Sequence, residues 1–346
     1  MSRIEKLKST PAADRLELKN RELAAKNKVL AAKVVRAEKK TLELEAVFSD
    51  FAQLKAVEKV KRTPVKRRPG KKNEAIAVIH FTDWHVAEIV SKSKTNGLNS
   101  FNPEICKQRV KSLVGETIAL IRLHQKTIKI ENIVLILGGD FVTGYLHPEL
   151  EQTNSMGPIE ESYFAIELLT DAISEIYQIV KPKKIRVICH RGNHGRTTKK
   201  MQFKNDFETS YETLIYWVIR DRLNSLEKIE FVIDPSSVTY TELIPGYSIR
   251  SIHGHQIRYN GGVGGLLVPA NRWILKQQQT RQAILTILGH FHQYNKMKGC
   301  LVSGSIKGWD EYAQEFGFEF EPPTQSFELF DMQRRCFVSA SPIFCE

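Results

Sequence analysis

The sequence has no apolar run approaching the roughly 20 residues that a membrane helix needs, so no contact with a membrane is expected. Its opening stretch, MSRIEKLKSTPAADRLELKN, is too polar for a secretory signal. Cysteine is scarce: Cys106, Cys189, Cys300, Cys336 and Cys345 are the only five among 346 residues. An odd number without C-x-x-C spacing argues against both a disulfide framework and a zinc ribbon. Reduced thiols and a cytoplasmic protein are the expectation, with Cys189 a packed strand residue. Internal repeats are absent. The one glycine-rich stretch, Asn260–Gly265, lacks the Lys-Ser/Thr of a nucleotide-binding P-loop and reads as a substrate-side loop or a turn. What remains, 42% hydrophobic and 26% charged, is the composition of a globular protein.

Charge of one sign is concentrated at one end. The net charge is +12, and residues 1–75 carry 21 Lys+Arg against 10 Asp+Glu, leaving 30 against 29 for the remainder. Residues 14–60 lack Gly and Pro and are rich in Ala, Leu, Lys and Glu, which predicts a long basic helix. Leu16, Leu23, Leu30, Ala37, Leu44 and Phe51 recur every seven residues, one position of a coiled-coil heptad. The second seam position holds Lys19, Lys26, Lys33 and Lys40, which disfavours a tight two-stranded coil and suits weak self-association or docking on a partner protein. After it come Lys61, Arg62, Lys66, Arg67, Arg68, Lys71 and Lys72, broken by Pro64, Pro69 and Gly70. Such a stretch has no core to bury and reads as a linker; these seven cations are candidates for nucleic-acid phosphates. The domain reading is a basic helical arm with its linker over 1–74, then a second domain over 75–346.

From Ala75 onward, strand and helix patterns alternate. Strands are expected at Ile76–Thr82, Ile133–Leu137, Ile185–Cys189, Ile229–Ile233, Val238–Leu243, Tyr247–Ile252 and Ala283–Leu288, with a β-rich tail. Helices are expected near Pro103–Lys126, Pro158–Val180, Phe207–Leu226 and Leu267–Gln279. Alternation followed by a run of strands indicates an α/β domain with a partly antiparallel second sheet. Five strands end abruptly in polar residues: Asp83-Trp84-His85, Gly138-Gly139-Asp140, Gly192-Asn193-His194, His253-Gly254-His255 and Gly289-His290-Phe291-His292. Open α/β sheets place their sites beyond the carboxyl ends of strands. Any one of these junctions reads as readily as an exposed turn. Together, their carboxylate, amide and imidazole groups form a ligand set for borderline divalent metals.

In this order, the motifs resemble the calcineurin-like metallophosphoesterase superfamily, whose pattern is D-x-H, G-D, G-N-H, H and G-H-x-H. The resemblance runs from Ile76 to Ser305, includes a Gly304-Ser305 pair, and leaves residues 1–74 outside. It is closest in character to the nuclease subunits of double-strand-break repair complexes and to bacterial phosphodiesterases. It implies a four-layer αββα sandwich of two mixed β-sheets. It also implies two divalent ions, manganese first with iron, zinc or nickel as alternatives. Asp83, His85 and His292 would hold one ion and Asn193, His253 and His290 the other, with Asp140 between them. A hydroxide bridging the ions would attack phosphorus, and His194 would protonate the leaving oxygen or donate to the phosphoryl group.

One departure stands out. The family usually places an acidic residue after G-N-H to help orient the histidine, whereas Gly195 and Arg196 follow here. Asp206 or Glu208 is a candidate substitute, and Arg191 and Arg196 are candidate phosphate contacts. His255 rivals His253 as ligand; His253 is preferred because it ends its strand directly. His80 and His190 read as core or supporting residues, His124 as an ordinary helix residue, and His147 as a residue lining the entrance. Three functions stay open. The basic arm suggests a nuclease cutting phosphodiester bonds. The near-neutral remainder suits a phosphatase or phosphodiesterase acting on a small molecule or phosphoprotein. An assembly protein working through its N-terminal helix is the third.

Overall fold

The computed structural model describes residues 11–52, 73–258 and 265–346. The linker cations Lys61 to Lys72 and most of the glycine-rich stretch lie outside the described residues. The chain divides into two units, Met1–Thr63 and Pro64–Glu346. The first contains helix α1 (Pro11–Ala52), which has Pro only at its first position, where no intrahelical N–H bond is lost. Every side chain described along it is exposed, including Leu16, Leu23 and Leu30. One local pair, Arg21 with Glu17 at 3.0 Å, spans a helical turn.

In the second unit, β1 (Glu74–Phe81), β2 (Lys129–Leu137), β3 (Lys184–Cys189) and β4 (Ile229–Ile233) run parallel. Antiparallel β10 (Thr324–Asp331) and β11 (Cys336–Phe344) complete a six-stranded sheet in the order β11-β10-β1-β2-β3-β4. Pro342 is tolerated because β11 is an edge strand. The second sheet has the order β5-β6-β7-β9-β8. Its strands are β5 (Thr239–Ile244), β6 (Tyr247–Ser251), β7 (Leu285–Leu288), β8 (Asn295–Met297) and β9 (Cys300–Val302). The inner three are parallel and both edges antiparallel.

Strand alternation sets the layers. In β1, Ala75, Ala77, Ile79 and Phe81 pack outward against α2 (Pro103–Gln125), α4 (Pro158–Val180) and α5 (Tyr211–Arg222). Ile76 and Val78 face the other way, meeting Ile249, Leu285, Ile287 and Leu301 of the second sheet. The outer face of that sheet, with Ile252, Leu288 and Val302, is covered by Ala270 and Ile274 of α6 (Leu267–Thr280). The result is helices, sheet, sheet and helix: the expected four-layer sandwich of mixed sheets.

Several details differ from the sequence reading. α5 begins at Tyr211, four residues later than its pattern, because Ser210 caps it by accepting the Glu212 N–H at 3.2 Å. Two short helices, α3 (Pro148–Thr153) and α7 (Glu311–Glu315), and the hairpin strand β8 have patterns too brief to announce themselves. No described helix is long and apolar enough to cross a membrane.

Candidate dinuclear metal centre

Every polar junction falls just past a carboxyl strand end: Asp83 and His85 after β1, Asp140 after β2, Asn193 and His194 after β3, His253 after β6, His290 and His292 after β7. Backbone hydrogen bonds join these loops. Asp83 N–H donates to Gly139 O at 2.9 Å, His85 N–H to Asp140 O at 3.1 Å, and Gly289 N–H to His253 O at 2.7 Å. Asp83 (φ 55°), His85 (46°), Asp140 (53°), His290 (70°) and His292 (56°) all adopt left-handed backbone. Non-glycine residues there carry strain, which persists where surrounding structure imposes it and collects at functional sites.

The structure brings the candidate ligands into adjoining triads. Potential ligand atoms of Asp83, His85 and His292 lie within 4.8 Å of one another, as do those of Asp140, His253 and His290, and those of His85, Asp140 and His194. Asp140 therefore belongs to triads on both sides. Asn193 Oδ1 stands 3.2 Å from His253 Nε2. His255 lies outside these triads; its ring centroid is 5.4 Å from that of His253.

The donor set fits divalent ions. Each aspartate uses one oxygen on the protein: Asp83 Oδ2 accepts from His290 N–H at 2.9 Å and Thr82 Oγ–H at 2.7 Å, and Asp140 Oδ1 from His194 N–H at 2.7 Å. The other oxygens, Asp83 Oδ1 and Asp140 Oδ2, are buried without a hydrogen bond, as is His85 Nδ1. His253 donates from Nδ1 to Gly138 O at 2.8 Å, which turns the lone pair of Nε2 toward Asp140 Oδ2 at 3.0 Å and Asn193 Oδ1 at 3.2 Å. His85 Nε2 and His292 Nε2 face each other at 3.2 Å. Lone pairs converging in a buried space need a cation between them. Burial opposes charge on His253, yet Asp140, with Asp83 beside it, raises its pKa to about 10, so a cation bound here takes the place of the Nε2 proton. Burial would raise both aspartates too, but the surrounding histidines hold them below the usual carboxylate range. Burial lowers His290 to about 3, helped by His253, leaving a neutral ring with a free lone pair.

His194 donates from Nδ1 to the carbonyl of Thr143 at 2.8 Å, so a backbone oxygen orients it. Neither expected substitute does so: Asp206 is instead the partner of Arg191. Arg191 itself corrects an expectation. It is buried, with Nε and Nη2 on Asp206 at 3.1 and 3.0 Å, and with Nη1 on Asp234 O at 2.8 Å and Nη2 on Pro235 O at 2.7 Å. A guanidinium engaged in this way holds loops together and is not free for phosphate. Arg196 is half-buried, donating to Thr198 O and Asn193 O at 3.0 Å each. His147 places its ring 6.3 Å from that of His194. His124 stacks on Phe327.

Sequence reasoning missed three supporting residues, Glu161, Glu212 and Lys307. Glu161 is buried and accepts the N–H groups of Thr143 and Gly144 at 2.9 and 2.8 Å. Glu212 accepts those of Phe141 and Gly192 at 2.8 and 2.6 Å. Burial, with Asp140 adding, raises Glu212 to about 8; burial alone is the main cause raising Glu161 to about 7. Lys307 is buried between Glu88, at 2.9 Å, and Asp310, at 2.5 Å. Ser305 donates to Asp83 O at 2.6 Å, and the Gly304-Ser305 pair was the one signal for this group. An acidic residue in a helix's first turn looks like ordinary capping, which hides Glu161 and Glu212.

Carboxylate, amide and imidazole ligands gathered at the strand ends of a four-layer sandwich define a class of metal-binding α/β proteins. The family model described as calcineurin-like phosphoesterase matches residues 76–320, and the chain belongs to that family, whose members bind two divalent metals. Among solved structures, the sulfate thiohydrolase SoxB of Termus thermophilus in complex with glycerol is 8% identical, with a TM-score of 0.31. The match covers 80% of this chain and 57% of that one, so this chain spans little more than half its length. No curated protein matches.

Proposed function

We propose that the protein hydrolyses phosphodiester bonds of nucleic acid. The observation that carries this reading is the loop running on from His194. Residues 196–205 include Arg196, Lys199, Lys200 and Lys204 and no acidic residue. Lys199 to Asn205 are exposed, with Phe203 at 79% and Met201 at 38%. The base of the loop is fixed by the bridge between Arg196 and Ser210 and by Thr197 N–H on Thr209 O at 2.8 Å. Clustered cations give a polyanion sequence-independent affinity, and an exposed ring offers a stacking surface to an unpaired base. A small phosphomonoester needs neither.

In this reading Asp83, His85 and His292 hold one ion and Asn193, His253 and His290 the other, with Asp140 shared. Manganese is the first ion to test, with iron, zinc and nickel compatible with the same donors. When bound, such ions polarise the phosphoryl oxygens and activate water for attack. The chain's own groups position the rest. The Thr143 carbonyl holds the Nδ1–H of His194 and leaves Nε2 to carry the proton passed to the leaving oxygen. Arg196 steadies the base of the basic loop, and the cations from Lys61 to Lys72 add affinity.

The test compares a single-stranded oligonucleotide, bis(p-nitrophenyl) phosphate and p-nitrophenyl phosphate, each with manganese. Cleavage of both diesters, with the monoester slow, is expected. The triple variant K199A/K200A/F203A should raise KM for the oligonucleotide about ten-fold more than for the small diester. Preference for the monoester would favour the phosphatase reading, which the even charge of residues 76–346, 30 Lys+Arg against 29 Asp+Glu, supports.

A further inference from the structure

Gly195 is buried, and its backbone lies outside the left-handed region that favours glycine. Conformation therefore does not explain why position 195 has no side chain. Space does. A Cβ added there would stand 2.8 Å from Glu212 Cγ, 3.2 Å from its Cδ and 3.3 Å from its Oε2. The Glu212 side chain already fills the volume that a residue at 195 would occupy.

What Glu212 does in that volume is specific. Its residue is fully buried, and its two oxygens accept from different loops: Oε1 from Phe141 N–H, next to Asp140, and Oε2 from Gly192 N–H, next to Asn193. Those loops are in close contact, since a Cβ on Gly192 would collide with the carboxylate of Asp140. Tyr211 N–H, at the start of the same helix, donates to Gly195 O at 2.8 Å. One carboxylate thus fixes the spacing between the loops bearing Asp140 and Asn193-His194. Burying a carboxylate is costly; accepting two amide N–H groups offsets part of that cost and leaves neither amide unpaired.

We infer that Glu212 is the positioning residue that sets the separation of the Asp140 and Asn193-His194 loops, and that Gly195 is the vacancy that admits it. The pair is exchangeable: an acidic side chain grown from position 195 enters the same space and reaches the same amides once Glu212 is cut back. Glu212 touches neither substrate nor ion, so its influence passes through Asp140, Asn193 and His194.

The experiment compares wild type, E212A, E212Q, G195E and G195E/E212A in the full chain. Three readouts are used: hydrogen exchange at the Phe141 and Gly192 amides without metal, manganese affinity by titration, and kcat and KM for bis(p-nitrophenyl) phosphate. E212A should expose both amides and weaken manganese binding about ten- to a hundred-fold, the usual effect of losing a group that orients ligands. kcat should fall with it more than KM changes. G195E alone should be impaired, because two carboxylates compete for one volume, and G195E/E212A should recover at least ten-fold over E212A. E212Q keeps the shape but turns an N–H toward one amide, so it should lose protection at one of the two positions; it serves if E212A does not fold. Recovery in the double variant upholds the inference. A double variant no better than E212A, or E212A or E212Q with wild-type protection and affinity, overturns it. The small diester keeps the outcome independent of whether nucleic acid is the substrate.

Discussion

Asp140 shows how much one side chain is asked to do. Its Oδ1 accepts the His194 amide, while Oδ2 is buried and turned toward His253 Nε2. D140N puts an NH2 on one of these two sides. Facing the His194 amide, it sets donor against donor; facing inward, it removes an anionic ligand. Loss of bound manganese and a fall in turnover of about a thousand-fold or more are expected, by metal analysis and diester hydrolysis; a fully active variant would remove Asp140 from the bridging role. His194 is a different case, because its ring is fixed at Nδ1 by the Thr143 carbonyl and its proposed work is done at Nε2. H194Q should keep its metal and slow a diester with a poor leaving group about a hundred-fold, with a smaller effect on a good leaving group. Equal slowing of both would mean that His194 contributes charge or hydrogen bonding and not the proton.

Strands, helices and the loops between them were not equally legible. The five junctions could be read because each strand is a short apolar run that stops at residues of one chemical kind. Their convergence then follows from parallel strands presenting carboxyl ends on one side. The orientation of His194 could not be read, since the group holding it is a backbone carbonyl, which no side-chain pattern reports. Nor could the Glu212 clamp, because its partners are amides 71 and 20 residues away. Arg191 looked like a phosphate contact because arginine beside a polar loop carries the same letters whether it faces solvent or is buried against Asp206. Glycines at the junctions carry a further consequence. G192A places a methyl group against Asp140, and overpacking of this kind costs about 1–3 kcal/mol. A lower melting temperature and weakened manganese binding together are expected; a wild-type value for both would show that the loops part easily.

At the scale of the molecule, the four layers follow from alternation within strands, and the same alternation puts polar groups between the sheets near the site. His80 continues the face of Ile76 and Val78, and His190 follows β3; both are 1% exposed. Burial lowers each to about 3, with Asp83 opposing for His80 and His80 itself adding for His190. The unfolded chain protonates both rings below about pH 6.5, whereas the folded one resists until near 3. Their neutral forms therefore support the fold fully above 6.5, and stability falls as pH drops from 6.5 toward 3. Denaturation of the metal-free protein at constant ionic strength should show this slope, and H80N should make it shallower; an unchanged slope would exclude His80 as a source.

The distribution of charge belongs to the same scale, since all strands of both sheets lie between Glu74 and Phe344 while almost the whole positive excess precedes residue 76. If the seven cations from Lys61 to Lys72 neutralise phosphates, each releases counterions from a single strand, and together they contribute roughly −5 to the slope of log affinity against log salt. Comparing the full chain with residues 73–346 on one oligonucleotide over a salt series isolates that contribution. The truncated protein should bind more weakly at low salt, lose affinity less steeply as salt rises, and approach the full chain at high salt. Its kcat on a small diester should stay close to that of the full chain, because the centre is built entirely from strand ends after Glu74. Identical slopes for the two proteins would place nucleic-acid affinity in the catalytic unit alone, with the loop after His194 as its remaining source.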